Sequence, residues 1–270
     1  MAAAGHMSGR AARVRALEGA YEVARRSFLR ALRQPAVVVP SLIFPLFLLA
    51  VNVGGLDATT QIPGFPAESY LAFALAVPFI QGAIFVLLNS GTDLATDIET
   101  GFLNRLALTP LSGPALLAGG FGGVLAIATF QTLFYLVVGL VAGSGFEAGL
   151  AGIPILFALS LSISFAFGCI GAFVALRVGS SEAMQGLFPI FFVFLFFSSM
   201  ALPRDLIEQE WFRAIATANP VSYLIEGVRS LFVTGIDGEA LGLAFGISAL
   251  IAAVFLSAAS LALRSRLVRT

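Results

Sequence analysis

The sequence predicts an all-α polytopic membrane protein. Hydrophobic residues make up 59% of the 270-residue chain and charged residues 11%, against about 25% charged in ordinary soluble domains. Mean hydropathy is +0.97. Six stretches carry no charge at all, and each is long enough to cross roughly 30 Å of hydrocarbon at about 1.5 Å of helical rise per residue. Net charge is zero and says nothing about nucleic acid, but so apolar a bulk argues against a nucleic-acid partner.

The first residues are Ala- and Gly-rich, and residues 1–15 read as a disordered tail rather than a signal peptide, because Arg and Glu interrupt any apolar run behind them. Between Ala16 and Arg33, Leu17, Tyr21, Ala24, Phe28 and Leu32 recur at helical spacing, with Arg15, Glu18, Glu22, Arg26, Arg30 and Arg33 on the other side. That pattern predicts an amphipathic helix over 16–33 lying in the membrane interface and ending at Gln34-Pro35. The six spans follow at about 36–55, 70–92, 114–142, 150–176, 183–203 and 240–263, with a short tail at 266–270. Pro40 and Pro45 predict a kink in the first. Gly119, Gly120, Gly122 and Gly123 predict close helix packing in the third. The Phe-rich fifth is suited either to lipid and packing or to an aromatic wall beside an apolar path. Gln81, Asn89, Gln131, Asn52, Ser160, Ser162 and Ser164 are expected to make interhelical hydrogen bonds.

Orientation follows from the arginines. With both termini in the cytoplasm, twelve Arg lie inside and only Arg204, Arg213 and Arg229 outside, the asymmetry expected of a bacterial plasma-membrane protein. The long outer segment then reads as two short helices: an amphipathic one over 205–213 bearing Trp211 and Phe212, and a second over 221–233 beyond the Asn219-Pro220 break. Too short to span, they predict a re-entrant or interfacial hairpin packed before the last span. Glu226 and Arg229, three apart, are expected to meet on one face, either as a solvated pair or as glue within the membrane.

Missing residue types exclude much chemistry. All fifteen basic residues are Arg, so the chain has no Lys for a nucleotide-binding P-loop or a Schiff base. The sole His, His6, lies in the tail, which removes a Ser-His pair or a His-ligated metal from the spans. The single Cys169 sits in a span and reads as a small buried apolar residue.

Against this background one stretch stands out. Asp93 to Pro110 places three acids, an Arg, a Gly and a Pro between two uncharged spans, on the cytoplasmic side. The run Asp97-Ile-Glu-Thr-Gly-Phe-Leu-Asn-Arg-Leu-Ala-Leu-Thr-Pro-Leu-Ser112 and the run Asn219-Pro-Val-Ser-Tyr-Leu-Ile-Glu-Gly-Val-Arg229 stand at the positions of two signatures of one family. In that order and topology the chain, over residues 16–265, resembles the membrane subunit of type-two ATP-binding-cassette exporters, and is similar in style to drug-resistance permeases of the daunorubicin type.

The resemblance implies a half-transporter without a nucleotide site of its own. A separate cytoplasmic ATPase subunit would bind ATP and Mg, and a second permease copy, identical or related, would complete the assembly within membrane lipids. It further implies ATPase-coupling roles for Asp97, Glu99, Gly101, Phe102, Arg105 and Pro110, with Asn219, Pro220, Tyr223, Glu226 and Arg229 shaping the outer hairpin. The expected function is export of an amphipathic drug or lipid-like compound; a polysaccharide or lipid-linked polymer is the alternative cargo. An ion-coupled secondary transporter would need acids or His at mid-membrane, whereas Glu182 and Glu226 lie at span edges. An intramembrane enzyme would need paired catalytic groups that the spans lack.

Overall fold

The computed structural model describes residues 35–102 and 113–267. The expected interfacial helix 16–33, the tails and residues 103–112, including Arg105 and Pro110, lie outside them. The described residues form ten α-helices and no strand: α1 (Pro35–Leu56), α2 (Tyr70–Ala74), α3 (Ala76–Glu99), α4 (Gly113–Val141), α5 (Gly149–Val178), α6 (Ser181–Gln185), α7 (Phe188–Phe196), α8 (Glu210–Ala218), α9 (Pro220–Val233) and α10 (Gly238–Leu267). Among them, five stretches are long and apolar enough to cross a membrane: α1, the α2–α3 pair, α4, α5 and α10.

The α2–α3 pair is the axis. Its apolar window is 89% buried, against 22% for α1 and 17% for α10, and α1, α4, α5, α6 and α9 all pack on it. Close approach to α5 depends on two glycines. The Gly171 Cα lies so near the Leu87 carbonyl that a Cβ would collide with it, and a Cβ on Gly91 would come within 3.1 Å of the Gly171 carbonyl. Gly227 lets α9 press on Ala240 and Ala244 of α10 in the same way. Of the glycines expected to pack closely in the third span, Gly120 faces outward, and a Cβ on it would meet nothing within 4 Å.

Prolines remove rungs of the helical hydrogen-bond ladder, and at Pro45 a neighbouring side chain fills the gap. Pro45 has no N–H for the carbonyl of Ser41, one helical turn earlier. The Tyr135 hydroxyl of α4 donates to that carbonyl instead, at 2.6 Å, while the Gln131 amide donates to the Ser41 hydroxyl at 3.3 Å. Pro78 likewise removes the donor for the Ala74 carbonyl, and the helix breaks at Leu75 between α2 and α3. The expected Gln131 hydrogen bond is therefore present, as is one joining Ser162 of α5 to Ser248 of α10 at 2.7 Å.

The expected fifth span, 183–203, is not one helix. It is a shorter apolar helical stretch, Ser181–Phe196, in which α6, of five residues, and α7, of nine, are joined by a turn at Gly186–Leu187, followed by non-helical backbone through residue 203. Pro189 cannot donate back toward Gln185, so the helix restarts with proline in its first turn. The Phe-rich run is a packing element on one side: Phe188 and Phe192 stack 4.4 Å apart and join Phe44 and Phe85. Its other side, with Ile190, Val193, Phe194 and Phe196, is about half exposed. The amphipathic helix expected over 205–213 begins later than its sequence pattern suggests, since Arg204–Leu206 is a 3-10 turn and α8 starts at Glu210.

Helix ends gather in two groups. At one end Glu99 of α3 meets Ser181 of α6, and Arg266 of α10 donates from Nε to the Leu176 carbonyl near the end of α5. At the other, the backbone N–H of Ala148, before α5, donates to Leu231 of α9 at 3.0 Å. If the α3–α5 packing is as tight as its glycines require, Gly171→Val should destabilise the protein by about 1–3 kcal/mol in detergent unfolding, whereas Gly120→Ala should change it by less than about 0.5 kcal/mol.

Candidate functional site

Two regions hold the residues that the sequence singled out. The first is the end of α3. The helix runs two turns beyond the expected limit of its span, so Asp93, Asp97 and Glu99 are all helical. Termination falls to Gly101, whose φ of +67° only glycine adopts at low cost; its N–H donates to the Ile98 carbonyl at 3.0 Å, and that of Thr100 to Thr96 at 3.0 Å. A Cβ at Gly101 would meet nothing within 4 Å, so its requirement is conformational and not steric. Phe102 follows this turn, half-buried.

Glu99 is engaged within the chain. Its carboxylate accepts the Ser181 backbone N–H at 2.8 Å and the Ser181 hydroxyl at 3.0 Å. Ser181 follows the Gly179 turn that ends α5, and Ser180 caps α6 by accepting the Ala183 N–H at 3.3 Å. Gly179-Ser-Ser reads in sequence as a helix stop followed by a start. Nothing in the sequence links it to a carboxylate 82 positions earlier.

The second region is the hairpin, and its residues converge on the non-helical backbone after α7. Asn219 caps α9, its Oδ1 accepting from the Val221 N–H at 2.9 Å, with Pro220 in the first turn. From the same side chain Nδ2 donates to the carbonyls of Phe194 at 2.6 Å and Phe197 at 2.9 Å, the end of α7. Arg229 donates from one guanidinium nitrogen to Ser199 at 2.9 Å and Met200 at 3.2 Å, and from Nε to Phe73 at 2.9 Å, beside the α2–α3 break. Its guanidinium also lies 3.5 Å from the centre of the Phe73 ring. The Tyr70 hydroxyl reaches Ala201 at 3.1 Å, and the Ser199 N–H donates to the Ser222 hydroxyl at 3.1 Å.

The expected Glu226–Arg229 ion pair is thus replaced. Glu226 binds Arg204 at 2.6 Å, and Arg204 also lies 4.3 Å over the Tyr223 ring. Tyr223 donates its hydroxyl to Thr217 at 2.9 Å. The reason is one of supply. The carbonyls of the interrupted segment have no helical donor, and a planar guanidinium can serve several at once. Arg204, partly exposed, answers the carboxylate that Arg229 leaves.

Sequence comparison follows the same ground. The sequence profile of the ABC-2 type transporter family matches residues 20–233, a range that takes in both signature runs. The chain is 31% identical over 227 residues to the daunorubicin resistance ABC transporter permease protein DrrB1 of Streptomyces coeruleorubidus, covering 81% of this chain and 75% of that one. It is 30% identical over 211 residues to the putative transport permease ycf38 of Porphyra purpurea, covering 77% and 72%. Its identity to the corresponding Pyropia yezoensis protein is 31% over 219 residues, covering 77% and 71%.

Replacing Arg229 leaves buried carbonyls of three residues short of a donor, each costing about 1–3 kcal/mol, partly offset by relief of a buried charge. Arg229→Met should therefore destabilise by about 2–4 kcal/mol in detergent unfolding. Arg229→Lys should recover less than half of that, because one ammonium cannot span both breaks. Glu226→Gln, at a partly exposed pair, should cost about 1 kcal/mol or less.

Proposed function

Because the chain belongs to the ABC-2 type transporter family, we propose that it is the membrane-spanning permease subunit of an ATP-driven exporter that moves an amphipathic drug or lipid-like compound out of the cytoplasm. The observation that carries this reading is the 31% identity, across 81% of the chain, to a permease named for daunorubicin resistance. The chain lacks any Lys, so ATP and Mg belong on a separate ATPase subunit. That subunit docks on loop 93–110, where Asp97, Phe102, Arg105 and Pro110 join the end of α3 to α4. Phe102 supplies an apolar anchor, and Asp97 and Arg105 set register at the rim. Gly101 ends α3 where this loop begins.

A topology of six crossings in a bacterial plasma membrane, with both termini cytoplasmic, fits the two groups of helix ends. Arg266 near the end of α10 meets Leu176 near the end of α5, whereas Ala148 before α5 meets Leu231 of α9 at the opposite end, a pattern that supports one net crossing by residues 181–238. The interrupted α6–α7 segment makes it, and α8 and α9 form the re-entrant hairpin that completes the outer half. A second permease copy covers the half-exposed apolar faces of α1 and α7, and lipid covers the rest.

The test is association with a cytoplasmic ABC ATPase subunit. The two should co-purify from detergent-solubilised membranes. Arg105→Glu and Phe102→Asp should each lower the affinity at least tenfold, about 1.4 kcal/mol, without changing permease yield. Unchanged binding by both variants would remove the loop from the interface.

A further inference from the structure

Glu99 stands where the docking loop begins, but its carboxylate is turned toward another part of the same chain. We infer that Glu99 and Ser181 form a clasp that carries movement of the docking loop into the interrupted α6–α7 segment. In this role Glu99 is a positioning residue and not a contact for the ATPase. The inference rests on the docking reading above.

Three observations support it. First, both carboxylate oxygens serve one residue: Oε1 accepts the Ser181 N–H at 2.8 Å, and the hydroxyl lies 3.2 Å from Oε1 and 3.0 Å from Oε2. Such charge-assisted bonds fix a direction as well as a distance. Second, α6 is held to α3 at another point. Met184 is fully buried, and its Cε packs where Gly91 lacks a side chain. Gly91 and Glu99 are about 12 Å apart along α3 at helical rise, so α6 is attached at two separated points and must follow any tilt of that helix end. Third, the chain beyond α6 passes the movement on. A hydrogen-bonded turn at Gly186–Leu187, with the Leu187 N–H donating to the Met184 carbonyl, leads into the nine-residue α7. Phe188 and Phe192 pack on Phe85 and Phe44, and Asn219 holds the far end of α7 by the Phe194 and Phe197 carbonyls. A push at α6 therefore reaches a short rod whose far end meets non-helical backbone.

Glu99 is exposed, so the clasp adds little to folding stability and its variants should still fold. Its contribution is geometric, and that separates it from a docking role. A glutamine keeps an acceptor for Ser181 but loses the charge; an alanine loses both. Ser181→Ala loses the hydroxyl bonds and keeps the backbone N–H.

The experiment uses the full chain in lipid nanodiscs with its ATPase partner, on a Cys169→Ser background, with nitroxide labels at Val193→Cys on α7 and Leu250→Cys on α10. Pulsed electron resonance reads the distance between labels before and after ATP, and a titration reads ATPase affinity. Glu99→Ala, alone or combined with Ser181→Ala, should keep the affinity within about twofold and abolish the ATP-driven shift. Ser181→Ala alone should give a partial shift, and Glu99→Gln should retain most of it. A tenfold loss of affinity in both Glu99→Ala and Glu99→Gln, with Ser181→Ala unaffected, would make Glu99 a docking charge and overturn the clasp. So would a full shift in Glu99→Ala. Failure of the unmutated chain to bind any ATPase is a separate result, which overturns the docking reading and the clasp with it.

Discussion

The structure depends on a constraint that lipid imposes: a carbonyl that leaves a helix inside the bundle must find a donor within the protein. Arg229 answers it at two places at once. One guanidinium nitrogen donates to Ser199 and Met200, past the end of α7, and Nε donates to Phe73 at the break between α2 and α3. A buried cation without an acid beside it would be costly, but carbonyl oxygens and the Phe73 ring surround this one with negative potential. Two interrupted helices are held together through their interruptions, and α9, which carries Arg229, becomes the wedge between them.

The same logic recurs with weaker donors. Tyr135 serves the carbonyl that Pro45 leaves open, Asn219 serves the end of α7, and Tyr70 reaches Ala201. Each donor is a side chain that can reach only if its helix sits at one depth and rotation. Breaks in helices thus become registration marks between helices. At the charged end, Glu99 and Arg266 do similar work, on a helix start and a helix end, where partial exposure makes the bonds weaker and easier to rearrange.

What was legible in the sequence is what depends on local composition. The spans at 36–55, 114–142, 150–176 and 240–263 match α1, α4, α5 and α10 within a few residues, because twenty uncharged apolar residues in a row leave the backbone little choice but a helix. Asn219-Pro220 was readable as a helix start for a similar reason. The interruption after Phe196 was not. Its cause is the existence of donors 22 to 30 residues downstream, and hydropathy cannot report whether a free carbonyl will be met. Nor could spacing alone assign the partner of Glu226: three-residue separation brings Arg229 into range, but the carbonyls of Phe73, Ser199 and Met200 compete for it, and Arg204 is no nearer in sequence than 22 residues. At the end of α3, Gly101 as a helix stop was visible in principle, whereas the Glu99–Ser181 contact joins two turns that no local pattern connects.

The central proposal is that residues 181–203 cross the bilayer as a short helical stretch and non-helical backbone clamped by the hairpin. Single cysteines at Glu182→Cys and Glu208→Cys, both exposed positions, test it most directly on a Cys169→Ser background. Membrane-impermeant maleimide applied to oriented vesicles should label position 182 only from the cytoplasmic face and position 208 only from the outside. Labelling of both from the same face would show that the segment turns back without crossing, and the account would fail.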